Sequence, residues 1–220
     1  MRVPAGEAHY VLKVLRARTG DILEVVDADR RLFAAELRGG GEATILEALE
    51  APDESVEVSL YQAVPKGGRM DLVVEKATEV GVTRIVPLVT RRGVVEPGGG
   101  KLERWRRVAE AAARQSLRLS VPEVSARAPL AEAVRRAGEG GVILHNDSGL
   151  EALEDVVSSP PSLFVGPEGG WSEQELRLGV EAGLALAQLG PYRLRSETAG
   201  IVAVARTVAV LGSRSALERS

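Results

Sequence analysis

Three polar, glycine-containing stretches in the carboxyl-terminal half of the chain carry residue types that can bind a small ligand. Residues 166–170 read GPEGG, residues 188–200 read QLGPYRLRSETAG, and residues 144–149 read LHNDSG. Glycine lets a backbone approach a ligand closely, and a helix that begins directly after such a loop offers free N–H donors. Each stretch alone fits an ordinary turn equally well. Together they favour a pocket that encloses one small molecule.

The sequence excludes several other kinds of site. It contains neither a GxxxxGK[ST] P-loop nor a GxGxxG dinucleotide motif. With no cysteine and two histidines, His9 and His145, a metal site is not expected. No run of about 18 apolar residues predicts a membrane-spanning helix, and the first residues lack the apolar core of a signal peptide. We expect a cytoplasmic protein with no metal and no membrane contact.

Strands that alternate with helices must position these stretches. Such a pattern predicts an α/β fold, a parallel sheet with helices on both faces, and in such sheets ligands bind beyond the carboxyl ends of the strands. The predicted strands are residues 58–64, 84–90, 141–147, 162–166 and 184–190. The predicted helices are residues 69–80, 101–119, 129–137, 148–157, 172–182 and 197–213.

Residues 1–54 have a different pattern and form a separate domain in our prediction. Short apolar runs at 22–26, 32–37 and 43–49 are separated by turns, which is typical of a small β-barrel. A linker at residues 51–55 then leads into a second domain of residues 55–220.

The net charge of −3 hides an uneven distribution along the chain. Residues 61–129 have a net charge of +6, whereas residues 1–60 have a net charge of −5 and residues 130–220 a net charge of −4. The basic segment is consistent either with a phosphate-binding surface or with the solvated face of one helix.

Two of the loop motifs, in this order, closely resemble the signature of the bacterial RsmE family. They are GPEGGWSEQE at residues 166–175 and LGPYRLRSETA at residues 189–199. The resemblance extends to residues 8–21, 65–92 and 104–124, and so covers nearly the whole chain.

The resemblance implies an S-adenosylmethionine-dependent methyltransferase that modifies N3 of a uridine in 16S ribosomal RNA of the small subunit. It also implies the SPOUT fold, in which the sheet domain contains a trefoil knot and follows a small N-terminal PUA-like β-barrel, and a homodimer. By this resemblance the cofactor-binding residues are Leu144, His145, Gly166, Pro167, Glu168, Gly169, Leu189, Gly190, Leu194 and Arg195. Glu168 could instead cap its own turn.

For the chemistry we expect Glu197 as the base for N3–H and Arg195 as the cation that stabilises negative charge or positions a phosphate. The two could also form a structural ion pair. RNA phosphates would be bound by basic residues, of which the first three are expected on one side of the barrel: Lys13, Arg16, Arg18, Arg69, Arg91, Arg92, Arg114 and Arg118. Methylation of another RNA, or non-catalytic RNA binding, would fit the same fold.

Residues 198–213, TAGIVAVARTVAVLGS, are apolar almost all round and predict a buried helix that is too short to span a membrane. The helix could belong to the core or to a dimer interface.

Overall fold

The computed structural model describes residue 12 and residues 16–39, 42–93 and 100–218 of the 220-residue chain. The chain divides into two compact units. The first comprises Met1–Pro52 and Gln115–Ser120, and the second comprises Asp53–Arg114 and Val121–Ser220.

The first unit contains a three-stranded antiparallel sheet of β1 (Ile22–Val26), β2 (Leu32–Arg38) and β3 (Glu42–Ala48), in that order. The Asp27 side chain closes the β1–β2 turn by accepting hydrogen bonds from the Arg31 backbone and guanidinium. These contacts, the backbone one first, lower the pKa of Asp27. The three strands lie where the sequence predicts them.

The second unit is built on a seven-stranded sheet in which every observed pair is parallel. The strand order is β10-β8-β9-β4-β5-β6, and β7 also pairs with β5. The strands are β4 (Ser59–Ala63), β5 (Arg84–Val89), β6 (Glu123–Val124), β7 (Ala128–Pro129), β8 (Gly141–Leu144), β9 (Ser162–Val165) and β10 (Ala185–Ala187). The parallel sheet is therefore confirmed, with two short strands, β6 and β7, that were not predicted.

Six α-helices are found in the described part of this chain. They are α1 (Met70–Glu79), α2 (Lys101–Gln115), α3 (Leu130–Ala137), α4 (Leu153–Val156), α5 (Glu173–Glu181) and α6 (Ser196–Glu218). Successive residues of the central strand β4 point to opposite faces of the sheet. Leu60 packs in a cluster with side chains of α1, α2 and α6, whereas Tyr61 packs in a second cluster with side chains of α3.

Several helix ends follow local sequence signals. Gly81 and Gly183, with φ of 104° and 84°, follow the ends of α1 and α5 as predicted. Ser172 and Glu175 form the predicted capping box at the start of α5.

Two helix predictions were too long. The helix predicted to 119 ends at Gln115, and Leu117 beyond it has a φ of 54°. The helix predicted at 148–157 is confined to Leu153–Val156, because Ala152 and Gln188 form a parallel bridge that keeps the preceding segment extended. Gln188 also donates to the Leu150 carbonyl at 2.9 Å.

The terminal helix differs from its prediction in length and burial. It runs to Glu218, and Ser196–Leu217 is long and apolar enough to span a membrane by length and composition alone, with a mean hydropathy of 1.3. The core helix of a soluble protein can pass the same test. Only 28% of the most apolar stretch is buried. The buried stripe includes Ala203, Val204 and Leu211, which pack in the cluster with α1, and Val208 and Val210 pack against that cluster while only partly buried.

Candidate functional site

The carboxyl ends of three neighbouring strands, β10, β8 and β9, surround one cleft of about 630 Å³. Residues 144–146, 165–171, 189–190 and 192–196 line it, together with Arg92 and Ala199. The three stretches first identified by their glycines and polar residues thus meet in space. They meet because parallel strands that are neighbours in a sheet release their following loops at the same edge.

All ten residues predicted to bind a cofactor line this cleft. They are Leu144, His145, Gly166, Pro167, Glu168, Gly169, Leu189, Gly190, Leu194 and Arg195. Other lining residues were not predicted for this role, and they include Asn146, Trp171, Tyr192, Arg193 and Ser196. Trp171 directly follows the GPEGG motif and Ser196 directly follows Arg195. Their position next to predicted cofactor-binding residues was the signal in the sequence that could have identified them.

Trp171 determines the shape of the loop after β9. Its indole N–H donates to the Leu144 carbonyl at 3.0 Å, which joins this loop to the end of β8. A Cβ atom on Gly166 would lie 3.0 Å from the indole ring, so this position accepts only glycine without rearrangement. Gly170, with φ of 69°, closes a turn by donating to the Pro167 carbonyl at 2.8 Å.

Glu168 links the β9 loop to the loop that follows β4. Its Oε1 atom accepts a hydrogen bond from the Lys66 backbone N–H at 2.9 Å and lies 3.9 Å from Nη1 of Arg69. The contact to Lys66 is one that the sequence did not indicate, because the two residues are 102 positions apart. The side chain is 31% exposed and borders the cleft, so one carboxylate oxygen remains available to a ligand.

Arg92, predicted to bind RNA, lies in the wall of the cleft. Its Nη1 atom donates to the carbonyls of Gly169 and Trp171, both at 3.0 Å. A Cβ atom on Gly169 would approach the Arg92 Cβ to 3.3 Å. Arg92 therefore supports the β9 loop directly.

Arg91 contacts the start of α5. Its backbone N–H donates to Glu175 Oε1 at 2.8 Å, and its guanidinium donates to Gln174 Oε1 at 2.5 Å. The end of β5 is thereby tied to the same loop–helix junction that Arg92 supports.

The loop after β10 presents two arginines. Arg193 and Arg195 line the cleft and are exposed, and neither has a side-chain hydrogen bond or ion pair to another described residue. The start of this loop is held from behind, because Arg206 of α6 donates to the Leu189 carbonyl at 2.7 Å and pairs with both carboxylate oxygens of Glu154. The loop thus combines a rigid base with two cationic groups that are available to a ligand.

Glu197, the predicted base, is buried and is not among the residues that line the cleft. Its Oε1 atom lies 3.5 Å from Nε of Arg69, and its buried Oε2 atom has no partner in the described structure. The ion pair with Arg195 that the sequence allowed is therefore replaced by one with Arg69. Arg69, predicted to bind RNA, lies between Glu168 and Glu197.

Comparison with known proteins assigns the family. Residues 52–208 match the RNA methyltransferase domain. The chain is 34% identical over 218 residues to ribosomal RNA small subunit methyltransferase E of Synechocystis sp., which covers 94% of this chain and 72% of that protein. The chain belongs to the RsmE family.

Solved structures of similar proteins agree with this RsmE assignment. Ribosomal RNA small subunit methyltransferase E of Neisseria gonorrhoeae, bound to S-adenosylmethionine, superposes with a TM-score of 0.79 at 30% identity, over 94% of this chain and 90% of that one. A methyltransferase of Legionella pneumophila in complex with the cofactor SAM gives a TM-score of 0.78 at 32% identity, over 95% and 91%.

The remaining residues of this RsmE-family chain that were predicted to bind RNA lie in both units. Arg16 and Arg18 are exposed in the first unit, where Arg118 is half-buried and donates to Ser120 Oγ at 3.3 Å. Arg114 is exposed on α2 in the second unit. Lys13 lies outside the described residues, so the expected grouping of Lys13, Arg16 and Arg18 stays a prediction. Among the described residues, no group of three or more His, Cys, Asp or Glu side chains could hold a metal ion.

Proposed function

We propose that this protein transfers a methyl group from S-adenosylmethionine to N3 of a uridine in 16S ribosomal RNA of the small subunit. The observation that carries the proposal is the single cleft in which all ten residues of the cofactor motif meet. Membership of the RsmE family and the likeness to methyltransferases with bound S-adenosylmethionine support it.

The cleft has the size and chemistry that this cofactor requires. Its volume of about 630 Å³ lies within the range typical of small-molecule pockets. Leu144, Leu189 and Leu194 supply apolar surface for a flat adenine ring, and the backbone of the two glycine loops supplies hydrogen-bonding groups for its edge. Glu168 supplies a carboxylate for a ribose hydroxyl or an ammonium group.

When bound, the cofactor supplies a methyl group whose bond to sulfur breaks, with both electrons staying on sulfur, as the N3 lone pair of the uridine bonds to the methyl carbon. The protein must align the two reactants and help N3 lose its proton. Arg195 is our candidate for stabilising the negative charge that develops on the uracil oxygens, because its guanidinium borders the cleft without a protein partner among the described residues.

Glu197 remains our candidate for accepting the N3 proton. This role is supported by the Oε2 atom of Glu197, which is buried and has no hydrogen-bond donor in the described structure. Because Glu197 does not line the cleft, this assignment requires that RNA binding opens a path to that atom. Arg69 then keeps the carboxylate in place from the other side.

Binding of RNA is proposed to use basic residues of both units. The target base would have to leave its stack to enter the cleft, which requires that the flanking phosphates are held. Arg114 is exposed and has no side-chain partner among the described residues, which suits this role. We propose that the first unit completes a PUA-like β-barrel for RNA recognition, that the second unit contains the trefoil knot, and that the protein acts as a cytoplasmic homodimer.

The proposal is tested with RNA from a strain that lacks this gene. Purified protein and S-adenosylmethionine are incubated with bare 16S RNA and with intact small subunits, and the modified base is mapped. We expect one N3-methyluridine. Cofactor binding without methylation of either substrate would redirect the search to tRNA or 23S RNA, and absence of cofactor binding would favour an RNA-binding protein without turnover.

A further inference from the structure

A glutamine lies in the middle of the core, on the central strand of the parallel sheet. Gln62 of β4 is 0% exposed, and its neighbours along the strand are apolar core residues. Burying an amide in a core is unfavourable unless its polar atoms are hydrogen-bonded. An apolar side chain of similar size would avoid that penalty, so the presence of an amide requires an explanation.

The Gln62 amide connects β4 to both glycine loops of the cleft through a single hydroxyl. Its Nε2 atom donates to Ser196 Oγ at 2.9 Å and to the Ala63 carbonyl at 3.0 Å. Ser196 Oγ in turn donates to the Gly166 carbonyl at 2.6 Å. Gly166 begins the loop after β9, and Ser196 is the first residue of α6, directly after the loop that follows β10. We call this chain of contacts the Gln62–Ser196–Gly166 bridge.

The direction of the bridge follows from its acceptors. A backbone carbonyl can only accept, so the Ser196 hydroxyl hydrogen points to Gly166, and Ser196 Oγ must then accept from the NH₂ group of Gln62. The carbonyl Oε1 of Gln62 consequently faces the other way, where it has no donor among the described residues. The Gln62 side chain therefore donates a hydrogen bond towards the loops, whereas its own carbonyl oxygen receives none. An unsatisfied buried acceptor of this kind is typical of a group retained for function rather than for stability.

Gly200 of α6 provides the space that this arrangement needs. A Cβ atom on Gly200 would lie 2.2 Å from Gln62 Oε1. Glycine is a poor residue for a helix interior, yet any larger residue at this position would push the amide out of place. Ser196 and Gly200 are four residues apart on one helix, so α6 both receives the amide and makes room for it.

We infer that Gln62 is a positioning residue for cofactor binding, which acts by fixing the distance between the two glycine loops through Ser196. This inference rests on the proposed function, because both loops belong to the proposed S-adenosylmethionine cleft. Gln62 is not among the residues that line the cleft, so its effect on the cofactor passes through Ser196 and Gly166.

The test measures the affinity for S-adenosylmethionine by calorimetry and the melting temperature of the cofactor-free protein. Gln62→Met keeps the side-chain volume but removes the donors, and Ser196→Ala removes the hydroxyl. For each we expect about tenfold weaker binding, the change that corresponds to losing one buried hydrogen bond. The double variant should bind no more weakly than either single variant, because both changes break the same bridge.

Two matched controls lie on the same helix. Thr207→Val removes a buried hydroxyl that has no partner among the described residues, and should leave the affinity unchanged. Gly212→Ala adds a Cβ atom that meets nothing within 4 Å and should raise the melting temperature by about 2 °C without changing the affinity. Gly200→Ala, by contrast, should weaken cofactor binding in the wild-type background and add little to the defect of Gln62→Met.

Normal affinity in Gln62→Met and Ser196→Ala, with a lowered melting temperature, would overturn the inference and leave Gln62 as a purely structural residue. Additive effects of the two changes would overturn it as well. Should Gln62→Met not fold, Ser196→Ala and Gly200→Ala decide the question. If the wild-type protein binds no S-adenosylmethionine, the proposed function itself fails and this inference falls with it.

Discussion

Nε of Arg69 lies 3.5 Å from Oε1 of Glu197, and this contact joins the residue before α1 to the first turn of α6. Glu197 is 5% exposed, whereas the Arg69 side chain is 41% exposed. The same guanidinium lies 3.9 Å from Glu168 at the border of the cleft. Arg69, which the sequence predicted as an RNA contact, thus offsets the negative charge of two carboxylates of the proposed active site.

Removing this cation should destabilise the protein. Arg69→Met leaves Glu197 buried without its counter-ion, and we expect a loss of about 1–2 kcal/mol in the free energy of unfolding, less than for a fully buried pair because Arg69 is partly solvated. Arg84→Met is the matched control, since its partner Glu123 is 57% exposed, and it should change stability by about 0.5 kcal/mol or less. Urea unfolding curves measure both. Equal effects would show that Glu197 does not depend on Arg69.

Loss of Arg195 should reduce turnover rather than folding. We expect Arg195→Ala to lower kcat by about 10²- to 10³-fold, as for other groups that stabilise developing charge. Its exposed side chain has no partner among the described residues, so the melting temperature should not change. Single-turnover methylation with saturating cofactor measures the effect. An unchanged kcat with a raised, salt-dependent KM for RNA would instead assign Arg195 to phosphate binding.

The substitution Glu197→Gln tests whether Glu197 accepts the N3 proton. Glu197→Gln keeps the size of the side chain but cannot accept the N3 proton, so methylation should be slowed by about 10²-fold or more while cofactor affinity is retained. The rate of methyl transfer at saturating cofactor and RNA measures this. Full turnover in Glu197→Gln or Glu197→Ala would show that another group, or solvent, takes the proton.

Arg92 and Arg114, both predicted as RNA contacts, should behave differently. Arg92→Ala leaves the carbonyls of Gly169 and Trp171 without their donor, so we expect about tenfold weaker S-adenosylmethionine binding. Arg114→Ala should leave cofactor affinity unchanged and weaken RNA binding, with the slope of log K against log salt reduced by about 1. Calorimetry and salt-dependent RNA binding separate the two. Similar behaviour of both variants would contradict the placement of Arg92 in the cleft wall.

Acid should remove one small contribution to stability. The Ser125 hydroxyl, and then Arg84, lower the pKa of Glu123 from its usual 4.5. A carboxyl whose pKa is lower in the folded state stabilises the fold above its unfolded pKa, and this contribution is lost as the pH falls through the folded pKa. We expect Ser125→Ala to cost about 0.5 kcal/mol or less at pH 7, since Glu123 is largely exposed, and nothing at about pH 2. A difference that persists unchanged in acid would assign the effect to another cause.

Local signals in the sequence determined several of the helix ends. Gly81 and Gly183 end helices because positive φ angles at these positions favour glycine, and Ser172 with Glu175 begins α5 through a capping box that spans three residues. The alternation of strands and helices was sufficient to predict a parallel sheet, and therefore to expect the three loops at one edge of it. These inferences succeed because each depends on residues close together in the chain.

The tertiary structure alone decided which side chains meet. Arg92 and Gly169 are 77 positions apart, and Gln62 and Ser196 are 134 apart. Such pairs depend on strand order and on how α6 packs, and no local pattern encodes either. The sequence by itself therefore identified the loops of the cleft, whereas only the packed sheet showed that Arg69 is the partner of Glu197 and that a core glutamine holds two of the loops together.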